Sequence, residues 1–245
     1  MRDNQAQYLH LMGITRWRER TPELPAVAAV AAADPTADDL DPDAALDALA
    51  KEVAACQQCP LHASRKQTVF GVGPASARLM FIGEAPGERE DQQGEPFVGP
   101  AGQLLNAMLR AIGLNREDVY IANILKCRPP GNRDPDPAET RTCTPFLLRQ
   151  LDLVQPHLVV ALGRVAAQYL LGTTAPLGRL RGRVHEYVRG DEHALHAPMP
   201  FVATYHPAYL LRSPGEKRRS WEDLKLIREV LRGAPAAIAG GLHEH

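Results

Sequence analysis

A chain of 245 residues, 44% of them hydrophobic, is long enough for one large or two small domains with a full core, and no run approaches the roughly 18 continuous apolar residues of a membrane span. The formal net charge of -1 by itself argues nothing for a nucleic-acid partner, but the charge is unevenly spread: residues 1–52 hold 5 Lys and Arg against 10 Asp and Glu, and the remainder holds 23 against 19. A body of +4 behind a leader of -5 is compatible with a phosphate-bearing partner. The N-terminus lacks the pattern of a secretory signal, so the expectation is a soluble cytoplasmic protein.

Residues 1–20 have the spacing of a short amphipathic helix (Tyr8, Leu11, Met12, Trp17). Thr21 to Pro42, rich in Ala, Pro and Asp, reads as a linker. Residues 1–42 are accordingly taken as an extension, 43–235 as the folded domain and 236–245 as a tail. A helix is predicted from Asp43, carrying Leu46, Leu49 and Val53 toward Cys56. From Leu79 the pattern becomes strand, loop, helix, repeated. Strands are predicted at Leu79–Ile82, Val119–Leu125, Leu158–Leu162 and Phe201–Thr204, with Val184–Val188 as a further edge strand. Helices are predicted at Ala101–Ile112, Pro137–Leu153, Arg164–Leu171 and Lys217–Leu231. Apolar strands alternating with helices imply an α/β fold of three layers, α/β/α, around a central four-stranded, mainly parallel sheet.

The stretch Gly83-Glu84-Ala85-Pro86-Gly87-Glu88-Arg89-Glu90-Asp91, running on to Pro96-Phe97-Val98-Gly99-Pro100, follows the first strand. Loops at the carboxyl ends of parallel strands are where such folds place their chemistry. The first strand ends at Glu84, the second carries Asn123 near its end, and the fourth runs into Tyr205-His206-Pro207. In a parallel sheet a carboxylate, an amide and an imidazole therefore converge on one edge. Singly, each reads as a turn cap or a satisfied loop residue; together, beside a Gly/Pro loop, they read as a site.

The chain has four cysteines: Cys56 and Cys59 in a C-x2-C pair, Cys127 after the second strand, and Cys143 in the next helix. Disulfides are disfavoured in a cytoplasmic protein. One four-thiolate site accounts for all four residues. Zinc and iron–sulfur clusters both accept such a set. The second pair is dispersed over a loop and a helix, which favours a [4Fe–4S] cluster and leaves zinc open.

The motifs Gly83-Glu84-Ala85-Pro86-Gly87 with Glu90-Asp91, Pro96-Phe97-Val98-Gly99, Asn123 ahead of Lys126-Cys127-Arg128-Pro129-Pro130, and His206-Pro207-Ala208-Tyr209-Leu210-Leu211-Arg212 resemble those of the family-4 uracil-DNA glycosylases. The resemblance covers about Val53 to Leu231 and all four cysteines, which in that family bind a [4Fe–4S] cluster. It implies a monomeric hydrolase that acts on uracil-containing DNA, single- or double-stranded, in base excision repair. It implies catalytic roles for Glu84 and His206, and base binding by Ala85, Gly87, Phe97 and Asn123. Tyr209, Leu210, Leu211 and Arg212 are implied as the DNA wedge and phosphate contact. Glu90 and Asp91 match the motif as loop support.

Some cluster-bearing relatives bind uracil-DNA covalently through a histidine in an insert after the second strand. Residues Asn123 to Cys143 contain no histidine, and His185 reads as structural. A non-catalytic DNA-binding or redox protein on the same scaffold is the other alternative, and the presence of Glu84, Asn123 and His206 argues against it.

Overall fold

In the computed structural model the chain divides into two units, Met1–Asp39 and Leu40–His245. The structure describes residues 41–188 and 198–233, all within the second unit. The helix expected in residues 1–20, the linker up to residue 40 and the tail at 236–245 lie outside the described residues.

Five strands form one sheet: β1 (Leu79–Gly83), β2 (Tyr120–Asn123), β3 (Leu158–Leu162), β4 (Val184–Tyr187) and β5 (Met199–Thr204). Their order is β2-β1-β3-β5-β4, all parallel except β4, which runs antiparallel to β5 on the edge. The expected four-stranded count thus becomes five, because Val184–Tyr187 does pair. Val184 and Tyr187 are buried while His185 and Glu186 between them are partly or fully exposed, as on an edge strand, whereas β1 and β3 are buried at every position, as their unbroken apolar runs require.

Alternate residues of β1 separate two apolar layers. Leu79 and Phe81 face helices α3 (Pro100–Ala111) and α8 (Lys217–Leu231), through Leu105, Leu109, Leu224 and Ile227. Met80 and Ile82 face α1 (Pro42–Ala55), α4 (Pro137–Val154) and α5 (Arg164–Leu170), through Leu46, Leu147, Leu151 and Ala166. The three-layer arrangement follows from this period-two alternation meeting helices with one apolar stripe each. A third apolar cluster, Leu49, Val53, Leu61, Leu125 and Phe146, packs around the cysteines.

Three short helices fall where the sequence reads as loop or wedge. Glu88–Gln93 forms α2, its first turn carrying Glu88, Glu90 and Asp91, acids that complement the positive end of a helix dipole. Leu177–Leu180 forms α6, and Pro207–Arg212 forms α7, opened by a proline and capped by His206. Strand β2 is shorter than predicted. Beyond Asn123 the chain leaves the ladder and turns, with the Ile124 and Leu125 N–H groups donating to the carbonyls of Gly83 and Glu84.

Candidate active site and cysteine site

A cavity of about 420 Å³ opens at the carboxyl edge of the sheet, and Glu84, Asn123 and His206 all line it. The parallel register explains the meeting of the first two. Gly83 pairs with Asn123 across β1 and β2, and a Cβ at Gly83 would lie 2.3 Å from Asn123 Oδ1 and 2.9 Å from the Phe97 ring. Only a residue without a side chain lets the amide and the aromatic ring share that corner. Asn123 is 2% exposed, and its Oδ1 is buried without a hydrogen-bond partner. A buried acceptor left unpaired is costly, and this one belongs to a residue that lines the cavity.

Phe97 is buried at φ +53, an uncommon conformation for a bulky residue. Its loop is pinned from two sides. Glu90 Oε1 accepts from the N–H groups of Val98 (3.0 Å) and Gly99 (3.1 Å), and Arg116 donates to the carbonyls of Pro96 (2.5 Å) and Phe97 (3.4 Å) while pairing with Glu95 at 2.9 Å. Beneath the loop, a Cβ at Gly102 would sit 1.7 Å from the Phe97 oxygen, so the close seat on α3 requires glycine there. Asp91, also buried, accepts from the Lys66 N–H at 2.9 Å. Glu90 and Asp91 therefore hold loop backbone, the part expected of them.

The His206 ring lies 5.5 Å from that of Phe97, tilted by 33°. Its Nδ1 accepts from the Ala208 N–H at 3.1 Å, so in the neutral ring the proton is on Nε2. Burial, reinforced by the nearby Arg212 and opposed by Glu90, holds the imidazole down to about 4. Glu84 is shifted the other way: burial, together with the Asp134 carboxylate and against Arg164, pushes its carboxyl up to about 7. Both shifts favour the uncharged form, and burial is the largest cause of each.

Ala85 and Gly87 line the same cavity, as do Tyr209 and Arg212 of α7. Leu210 does not reach it. That residue is 1% exposed and packs into the apolar layer against the sheet, because α7 turns one side of its short helix inward. The outward apolar tip is Tyr209 with Leu211, 37% and 43% exposed. His185 bonds the Leu180 carbonyl at 2.6 Å and meets the Phe201 ring edge-on, away from the cavity, as a structural residue does. Asn132, Arg133 and Asp134 also line the cavity and are not evident from the sequence, where only their place between Cys127 and Cys143 marks them. Nor does any local signal mark Arg116, which reaches the Phe97 loop from about 20 residues downstream.

Behind Asn123 a second, narrow cavity is lined by Cys56, Cys59, Cys127 and Cys143, with Val53, Arg65 and Phe146. Among the described residues no group of His, Cys, Asp or Glu stands ready to hold a single metal ion; the four thiols are arrayed around the cavity. Two sulfurs already accept hydrogen bonds, Cys127 from the Arg65 guanidinium at 3.1 Å and Cys143 from the Lys126 N–H at 3.2 Å. Donors aimed at sulfur stabilise thiolate, the form that binds metal.

The chain is similar to known proteins. Residues 70–225 match the Uracil DNA glycosylase superfamily. The type-4 uracil-DNA glycosylase of Archaeoglobus fulgidus is 44% identical over 76% of this chain and 92% of its own length. That of Thermotoga maritima is 41% identical over 79% of this chain and 94% of its own. The type-5 uracil-DNA glycosylase of Thermus thermophilus is 31% identical over 65% and 85%.

Proposed function

The chain belongs to the uracil-DNA glycosylase superfamily, on its type-4 branch, and on that premise we propose that it flips uracil out of DNA into the cavity beneath Phe97 and hydrolyses the bond between base and deoxyribose. It is a glycosidic hydrolase of DNA repair. The observation that carries the site assignment is the buried, unpartnered Oδ1 of Asn123, a residue that lines that cavity.

We assign base reading to Asn123. Its oxygen accepts from uracil N3–H while its NH2 donates to O4, a pattern that cytosine reverses at both atoms. A buried site built for one pattern rejects the other strongly, because its polar groups would be left unpaired. Phe97 supplies the face on which the flipped base stacks, worth about 1–3 kcal/mol. Thymine shares uracil's hydrogen-bonding edge, and its 5-methyl is excluded by the loop from Glu84 to Asp91. Within that loop we favour Glu90, which lines the cavity and whose Oε2 lies 2.7 Å from where a side chain at Gly87 would begin.

As the glycosidic bond breaks, negative charge grows on uracil O2. His206, neutral and carrying its proton on Nε2, donates toward that charge, and a fixed donor of this kind acts strongest where charge develops. Glu84, when ionised, orients the water that adds to the sugar and favours the cationic sugar electrostatically. The apolar tip at Tyr209 and Leu211 fills the gap left in the stack, and Arg212 meets a phosphate. Lys217 and Arg218 on α8 extend that phosphate contact.

We assign a [4Fe–4S] cluster to the cysteine site, because Cys56, Cys59, Cys127 and Cys143 line one cavity and form the all-thiolate donor set such a cluster would take. When bound, such a group cross-links the segment after α1, the turn after β2, and α4. Residues 43–235 form the glycosylase domain, acting as a monomer, with 1–42 and 236–245 outside it.

Cleavage of a labelled oligonucleotide bearing one uracil, followed by alkali, tests the proposal, with thymine and cytosine controls. Uracil-only scission with many turnovers is expected. A stable protein–DNA adduct would point to the covalent relatives, and no product from iron-loaded protein would overturn the reading.

A further inference from the structure

Lys126 carries its ammonium into the core at 1% exposure, a costly place for a cation unless its protons are all taken up. Its hydrogen-bond partners are both uncharged. Nζ donates to the Asn123 carbonyl at 2.8 Å and to Gln150 Oε1 at 2.5 Å, and the Phe70 ring lies 6.0 Å away. Gln150, fully buried on α4, spends its NH2 on the Phe70 carbonyl at 3.0 Å and the Tyr120 hydroxyl at 2.9 Å. The ammonium is thus clasped by β2, α4 and the segment before the sheet.

The rest of Lys126 is fastened as well. Its N–H donates to Cys143 Sγ and its carbonyl accepts from the Val69 N–H at 2.8 Å. Between Asn123 and Lys126, the Ile124 and Leu125 N–H groups hold the outer side of the turn to Gly83 and Glu84. The Asn123 carbonyl is where the chain leaves the β ladder, and Lys126 holds it. Packing alone would be served at less cost by an apolar side chain of the same length, so the hydrogen-bond geometry is what a lysine adds.

We propose that Lys126 is a positioning residue for base recognition, fixing the Asn123 peptide from behind so that its amide enters the cavity in one orientation, and tying that peptide to the cysteine site through Cys143. The inference rests on the reading of Asn123 as the residue that meets uracil. An amide that must accept and donate at two adjacent atoms loses both bonds if its peptide rocks, so the effect falls on binding.

The test is K126M in the iron-loaded, full-length protein, with iron content, inhibition by free uracil, KM and kcat as readouts. The expected result is unchanged iron per chain, KM and the uracil inhibition constant each raised about 10-fold, the size of one charge-assisted hydrogen bond, and kcat within about 3-fold. In an N123A background K126M should add nothing to the loss of uracil affinity, because the two residues act in series. Wild-type uracil affinity in K126M, or additive losses in the double variant, would overturn the inference. Should K126M fail to assemble its iron, Q150M decides, since it removes one partner of the ammonium and leaves the charge in place. An inhibition constant raised about 3-fold supports the proposal, and an unchanged one overturns it. A wild-type protein that leaves uracil-DNA intact defeats the glycosylase reading itself; one that excises uracil while K126M matches it defeats only the role of Lys126.

Discussion

The rings of Phe97 and His206 stand 5.5 Å apart and line one cavity with Asn123, held by loops from different strands of one sheet. The two rings touch each other, so the base in our proposal lies not between them but in the cavity they both line, stacked on Phe97, read at its edge by Asn123 and met by the His206 proton. Each member is set by different local means: Phe97 by a strained loop pinned at both ends, His206 by capping α7, and Asn123 by pairing with a glycine.

Replacing Asn123 by Ala should remove both edge contacts. Excision of uracil is expected to fall by about two to three orders of magnitude in kcat/KM, with the DNA-binding surface proposed at Tyr209, Leu211 and Arg212 untouched. Single-turnover cleavage beside a filter-binding or anisotropy assay separates the two. Full activity in both N123A and H206A would sink the site assignment.

The pH profile should report Glu84. If its ionised form assists the reaction, the rate rises with pH, about tenfold per unit below 7, and levels off above it. His206, held down to about 4, remains neutral throughout and adds no break between pH 5 and 8. In E84Q the rise near 7 should vanish with a lower plateau. Stability should move the opposite way. The folded state keeps the Glu84 proton up to about 7 while the unfolded chain releases it near 4.5, so this contribution is lost as pH rises through that window. E84Q should therefore melt higher than the wild type at pH 8, measured by calorimetry.

Arg116→Ala cuts the clasp on the Pro96 and Phe97 carbonyls without entering the cavity. It should raise KM about 10-fold, within the stacking energy at stake, with a smaller change in kcat. G102A drives a Cβ against the Phe97 oxygen and should reduce activity further. An R116A enzyme with wild-type KM would show that the loop holds its shape by Glu90 alone.

Cys143→Ala should abolish the brown colour expected of the cluster-loaded protein and lower its Tm, because the thiol lies where α4 meets the turn after β2 and accepts from the Lys126 N–H. Metal analysis of the wild type is expected to give four irons per chain. One zinc per colourless chain would overturn the cluster assignment and leave the glycosylase reading intact.

The architecture was legible because it rests on local periodicity. Unbroken apolar runs at Leu79–Ile82 and Leu158–Leu162, alternating with one-faced helices, specify a parallel sheet covered on both sides, and helix Lys217–Leu231 falls where its apolar spacing puts it. The motifs named Glu84, Phe97, Asn123, His206 and the four cysteines, since each sits in a short stretch of unusual composition. What the sequence could not reveal depends on long-range contact. That Leu210 turns inward while Leu211 points out depends on how α7 seats against the sheet. Arg116, Gln150 and the polar run Asn132–Asp134 gain their roles only when residues far apart in the chain meet. Lys126 looks like an ordinary charged residue beside a cysteine. Burial among β2, α4 and Phe70 removes its water, and an ammonium stripped of water must bond to whatever the fold supplies, here the Asn123 carbonyl and Gln150.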